Sequence, residues 1–66
     1  MVEYSFNTFE GEVVNIVSNK EMGYVDIEDI SNPNDPTRFF RLTCVEAEHM
    51  AVMLAMAAED LVIEDD

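Results

Sequence analysis

The chain has 66 residues, and 15 Asp and Glu stand against Lys20, Arg38 and Arg41, for a net charge of −12. That length allows one domain, residues 1–66, with a small core that usually needs a staple or a partner. Cys44 is the single cysteine and His49 the single histidine, which excludes an intrachain disulfide and the usual zinc sites. The charge argues against direct binding of DNA, RNA or anionic membranes, because phosphate recognition draws on Lys and Arg.

Val2, Tyr4, Phe6 and Thr8 alternate with Glu3, Ser5 and Asn7, a period of two that predicts a half-buried strand. Phe9 breaks the alternation and Gly11 follows, so a bulge or sharp bend is expected at residues 9–11. Val13, Val14, Ile16 and Val17 make Glu12–Val17 a second strand, or the continuation of a bent first one. The run SNKEMG is a turn with Gly23 as the natural site for a positive φ. Tyr24–Ile30 is the next strand, with Val25 and Ile27 on one face and Tyr24, Asp26 and Glu28 on the other. Ser31–Pro36 carries two prolines among turn formers and is a loop. Thr37–Leu42 is the last strand, with Phe40 and Leu42 on one face and Phe39 and Arg41 on the other.

Thr43–Ile63 lacks Gly and Pro and is rich in Ala, Met, Leu and Glu, all good helix formers. Thr43 and Glu46 have the spacing of a capping box, and Leu42 and Ala47 that of a hydrophobic staple. At 100° per residue, Ala47, Met50, Ala51, Leu54, Ala55, Ala57, Ala58, Leu61 and Val62 share one arc of about 160°. That arc is the expected core face. Val52, Met53 and Met56 lie on the other side, among Glu46, Glu48, His49, Glu59 and Asp60. Apolar residues there point to an association surface, with a homodimer as its simplest form. Strands followed by one helix predict an α+β fold, a small antiparallel sheet of three to four strongly curved strands with the helix packed on it.

No constellation of catalytic type is present. Cys44 and His49 point about 140° apart on a helix and cannot pair. Both read as ordinary helix residues, Cys44 as a packing residue and His49 as a surface one. DIEDISNPND is rich in oxygen ligands but lacks the EF-hand spacing, glycine and terminal Glu. No cofactor or metal is expected, nor any enzyme activity. No signal peptide, lipidation motif or membrane-length apolar run is visible, and a lone cysteine fits a reducing cytoplasm.

Gly11–Ile27 (GEVVNIVSNKEMGYVDI) resembles the first hairpin of cold-shock domains, in its Gly, β-branched strand, turn Lys and Gly-Tyr-Val. The likeness spans about a quarter of the chain and implies a curved hairpin. Asp26, Glu28 and Asp29 replace the basic and stacking residues of that family, and nothing after Ile30 follows it. It is therefore a generic hairpin similarity, and no family is recognised.

The carboxylates suggest a function instead. Asp26, Glu28 and Asp29, with Glu10, Glu12 and Asp35, would give a negative face, to which Tyr24 and Phe39 add apolar anchors. Same-face neighbours on a strand are about 6.7 Å apart, a spacing comparable to that of nucleic-acid phosphates. The expected role is a small non-enzymatic binding or inhibitor protein that occupies the basic, nucleic-acid-binding surface of a partner by mimicry. Small acidic proteins of phages and mobile elements work in this manner. The alternative is a structural or adaptor protein acting through the Met-bearing helix, with acidity serving solubility.

Overall fold

The computed structural model describes residues 1–62. It is an α+β fold: β1 (Val2–Asn7), β2 (Val13–Asn19), β3 (Tyr24–Asp29), β4 (Thr37–Leu42) and α1 (Cys44–Asp60). The four strands form one antiparallel meander in chain order. Successive strands pair because each connection is a short turn-rich loop, which leaves no length for a crossover.

The irregularity at residues 9–11 is the β1–β2 loop, so β2 is a separate strand. Thr8 N–H donates to Glu12 O at 2.8 Å, Gly11 N–H donates to Thr8 O at 3.0 Å, and Gly11 turns the chain with φ +90°. The β2–β3 turn closes with Gly23 N–H on Asn19 O at 2.8 Å and Met22 N–H on the Asn19 side chain at 3.1 Å. Gly23 takes φ +79°, as its place in the turn predicts.

Because the break at residues 9–11 falls in a loop and not inside a strand, it does not bend the sheet, which is not strongly curled. The one bulge lies on the β3–β4 ladder: Ile27 pairs with Phe40 and Glu28 with Arg38, which leaves Phe39 as the extra residue. The extra residue shifts the alternation by one. Arg38 thereby comes to a register position opposite Glu28, and not to the face of Phe40 and Leu42.

Pairing sorts the side chains into two faces. Val2, Tyr4 and Phe6 of β1 lie across from Ser18, Ile16 and Val14 of β2, and these across from Val25, Ile27 and Asp29 of β3. Phe40 and Leu42 continue this inner face. The outer face carries Glu3, Ser5, Asn15, Val17, Asp26, Glu28 and Arg41.

α1 packs on the inner face, starting with the capping box. Glu46 N–H donates to Thr43 Oγ1 at 3.2 Å, and Thr43 N–H donates to Glu46 Oε1 at 2.9 Å. Leu42 and Ala47, the staple pair, line one cleft with Ile16, Val25, Ile27, Met50, Ala51 and Leu54. The helix backbone comes close to β3 and β4 and not to β1 or β2, of which only Ile16 of β2 borders the cleft under it.

Here the structure departs from the expected core. Of the arc assigned to it, Ala47 and Met50 are half-buried, while Leu54 is 63% and Leu61 78% exposed. Among the described residues no apolar side chain is fully buried. The reason is geometric: the first two turns of α1 sit on the sheet and the rest runs past it. Ile63, the last residue of the expected helical stretch, lies outside the described residues.

Candidate functional site

The sheet divides the expected acidic face into two groups. Asp26 and Glu28 share the outer face of β3 with Tyr24, as the alternation predicts, but both arginines come to the same place. Arg41 Nε and Nη2 donate to Asp26 Oδ1 and Oδ2 at 2.9 and 3.1 Å, a two-point ion pair. The Arg41 guanidinium also lies 5.2 Å from the centre of the Tyr24 ring. Glu28 faces Arg38 in register, and its Oε1 accepts from Asn15 Nδ2 at 3.4 Å. Asn15, the one buried polar residue among those described, thus has a partner.

The second group gathers at one end of the sheet. The meander brings the loops at residues 8–12 and 30–36 to the same end, tied by Ile30 N–H to Val13 O at 2.9 Å and Val13 N–H to Ser31 Oγ at 2.9 Å. Glu10, Glu12, Asp29 and Asp35 therefore share this end, while Lys20 sits in the turn at the other. Glu12 is held by Thr8, whose Oγ1 accepts from Glu12 N–H at 3.1 Å. Asp29 Oδ1 accepts from Ser31 Oγ at 2.6 Å and from Ser31 N–H at 2.9 Å. Among the described residues no three acidic, His or Cys side chains converge closely enough to hold a metal ion. The end is thus a spread of separate negative charges.

Two carboxyls are held below their ordinary range. Asp26 is lowered first by its hydrogen bonds from Arg41 and then by the charges of Arg41 and Arg38, against partial desolvation. Asp29 is lowered by the Ser31 hydroxyl and then by the Ser31 backbone N–H. Arg41 is raised, mainly by Asp26.

A depressed folded-state pKa stabilises the fold above the unfolded value and loses that contribution as pH falls through the folded value. Asp26→Asn should therefore melt slightly lower than the parent at pH 7. The difference should begin to shrink as pH falls towards the ordinary 3.8 of the carboxyl and should vanish only below the lowered folded-state value. Thermal melts in a pH series running from 7 to below that folded-state value check this. A difference that persists at low pH would show that the carboxylate charge is not its source.

Phe39, at the bulge, is 52% exposed, and Tyr24 37%. Val52, Met53 and Met56 are 57%, 62% and 64% exposed on the side of α1 away from the sheet. Cys44 is also exposed and not packed; its thiol donates to Glu48 Oε2 at 3.8 Å. His49 is exposed on the helix surface. The Arg41–Asp26 pair does not follow from the pattern within either strand alone. Both residues lie on outward positions of neighbouring strands, a legible signal once a β3–β4 register is assumed. Arg38 was not legible, because its outward position depends on the bulge at Phe39.

No helix among the described residues is long and apolar enough to cross a membrane. No family model matches the chain, and neither a curated protein nor a solved structure matches it.

Proposed function

We propose that this protein is a small, non-enzymatic, cytoplasmic binding or inhibitor protein that presents its acidic loop end to a basic protein surface, of the kind that binds nucleic acid. The observation that supports the reading is the gathering of Glu10, Glu12, Asp29 and Asp35 at one end of a chain of net charge −12. Asp26 and Glu28 contribute less than their number suggests, because Arg41 and Arg38 stand beside or across from them. The contact thus moves from a row along β3 to the loops. Opposite charge steers such an encounter and makes it sensitive to salt.

Capture from a lysate of the source cell on the immobilised protein tests this, at about 0.1 M and about 1 M NaCl, where the Debye length is about 10 and about 3 Å. Capture should fall steeply at the higher salt. Joint Glu10→Gln, Glu12→Gln and Asp35→Asn substitution should weaken it, while Glu28→Gln should change it little. Salt-resistant capture that the triple substitution leaves intact would refute the reading.

A second reading, an adaptor acting through α1, is favoured by the exposure of Val52, Met53 and Met56. It predicts capture that salt leaves unchanged and that Met53→Lys abolishes.

A further inference from the structure

The inner face is half covered. A four-stranded sheet is about 19 Å wide at a strand spacing of about 4.8 Å, and a helix with its side chains is about 10–12 Å across. One helix covers two strands and two helices cover four. The described residues contain one, and it lies over β3 and β4. Over β1 and β2 the face is open: Val2 is 47%, Tyr4 68% and Phe6 55% exposed. Val14 and Ile16 of β2 continue the surface.

Three further observations bear on what covers it. First, the strand positions of the open half carry no charge, which is confined to its ends, at Lys20 beside Val2 and Ser18 and at Asp29 beside Val14. Those positions are Val2, Tyr4, Phe6, Val14, Ile16 and Ser18, in a chain with 15 acidic residues. An apolar, charge-free patch of this kind marks a contact that excludes water. Second, the apolar face of α1 runs on beyond the sheet: Leu54, at the edge of the cleft, is still 63% exposed, and Ala58 and the C-cap Leu61 continue the same face into solvent. The molecule therefore exposes both an uncovered sheet half and an unseated helix half of the required kind. Third, the dimensions call for another chain. A folded monomer of 7.5 kDa exposes about 4,200 Å² and has a radius of gyration near 11 Å. This chain exposes 5457 Å², has a radius of gyration of 13.9 Å and measures 45 × 28 × 16 Å. The excess is of order 1,000 Å², against about 800 Å² buried per partner in a standard interface.

We infer that the occupant is a second copy of this chain: in a two-fold dimer, the second half of each α1 lies across the open β1–β2 face of the other copy. Each sheet then carries two helices, its own over β3 and β4 and its partner's over β1 and β2. The contact is isologous, since each copy gives a helix and receives one. It leaves the acidic loops free, so the dimer and the acidic contact proposed above stand or fall separately.

Light scattering coupled to gel filtration should give twice the 7.5 kDa chain mass. The thermal midpoint should rise with protein concentration, as it does when folding and association are linked. Tyr4→Lys with Phe6→Lys should raise the dimer dissociation constant by at least about thirtyfold, the effect of losing an aromatic anchor. Lysine lowers the net negative charge, so added repulsion cannot explain the loss.

Should that variant unfold, a cross-link on the otherwise native surface decides. In a Cys44→Ser background, Tyr4→Cys with Leu54→Cys should oxidise to a covalent dimer. The bond cannot close within one chain, because no Cα of α1 comes within 8 Å of β1 and a disulfide needs about 7 Å or less. A folded monomer at every concentration overturns the proposal and hands the face to a different protein. A dimer that survives the lysines and fails to cross-link overturns it equally.

Discussion

Ile27→Asp is expected to leave the chain unfolded at room temperature, with the far-ultraviolet circular dichroism of a coil. Ile27 sits on the inner face of β3, paired with Ile16 on one side and Phe40 on the other, under the first turns of α1. It is where the two central ladders and the helix meet. Truncation to alanine alone should cost about 2 kcal/mol, the low end for a core isoleucine, because the site is half-buried. Aspartate adds the cost of an unpaired charge among apolar side chains, several kcal/mol more. A chain this short rarely has more than about 3–5 kcal/mol to lose. Ile27→Val should fold normally. A folded aspartate variant would mean that the layer beneath α1 does not hold the fold together.

Thr43→Ala is the second change expected to be felt throughout the molecule. The capping box joins two hydrogen bonds at the point where β4 passes into α1. Loss of such a cap costs about 1 kcal/mol. That is a large share of the stability of this chain, and the helix has little else to fix it, since only its first turns meet the sheet. The C-terminus of α1 gives no compensation: its last turn has no basic residue, while Glu59 and Asp60 sit unfavourably near the negative end of the helix dipole. The melting temperature should drop by several degrees. Thr43→Ser, which keeps the hydroxyl acceptor, should restore most of it. A Thr43→Ala variant that melts with the parent would remove the cap from the account of stability.

The two substitutions probe different levels of legibility. The cap was readable from Thr43, Glu46 and the helix-forming run after them, because a capping box depends on residues three apart and on nothing remote. The strands were readable for a similar reason. Alternation, the loop with two prolines and the two glycines are local signals, and they placed three to four strands and one helix, leaving open whether Glu12–Val17 is a strand of its own. Ile27 was readable as an inward residue, but its place at the junction of two ladders and a helix follows from pairing alone.

The acidic site shows the limit. Counting carboxylates along the chain suggested a row at Asp26, Glu28 and Asp29. Pairing brought Arg41 onto Asp26, and the bulge at Phe39 brought Arg38 across from Glu28. Asp29 went to the inner face and to Ser31. The loops came together at one end only because all connections in the sheet are hairpins. Each of these outcomes depends on the register between segments far apart in sequence, which no local pattern encodes.

By itself, then, the sequence determined the charge class, the α+β element order, the capped start of the helix and the two-sided apolar character of that helix. These follow from composition, period and residues within one turn of each other. The tertiary structure decided what the periodicity could not: which carboxylates are neutralised, and how far the helix reaches across the sheet. The apolar arc of α1 was legible as a face that must be covered. That its own sheet covers only the first half, and that β1 and β2 lie bare beside it, is a matter of lengths and widths in three dimensions.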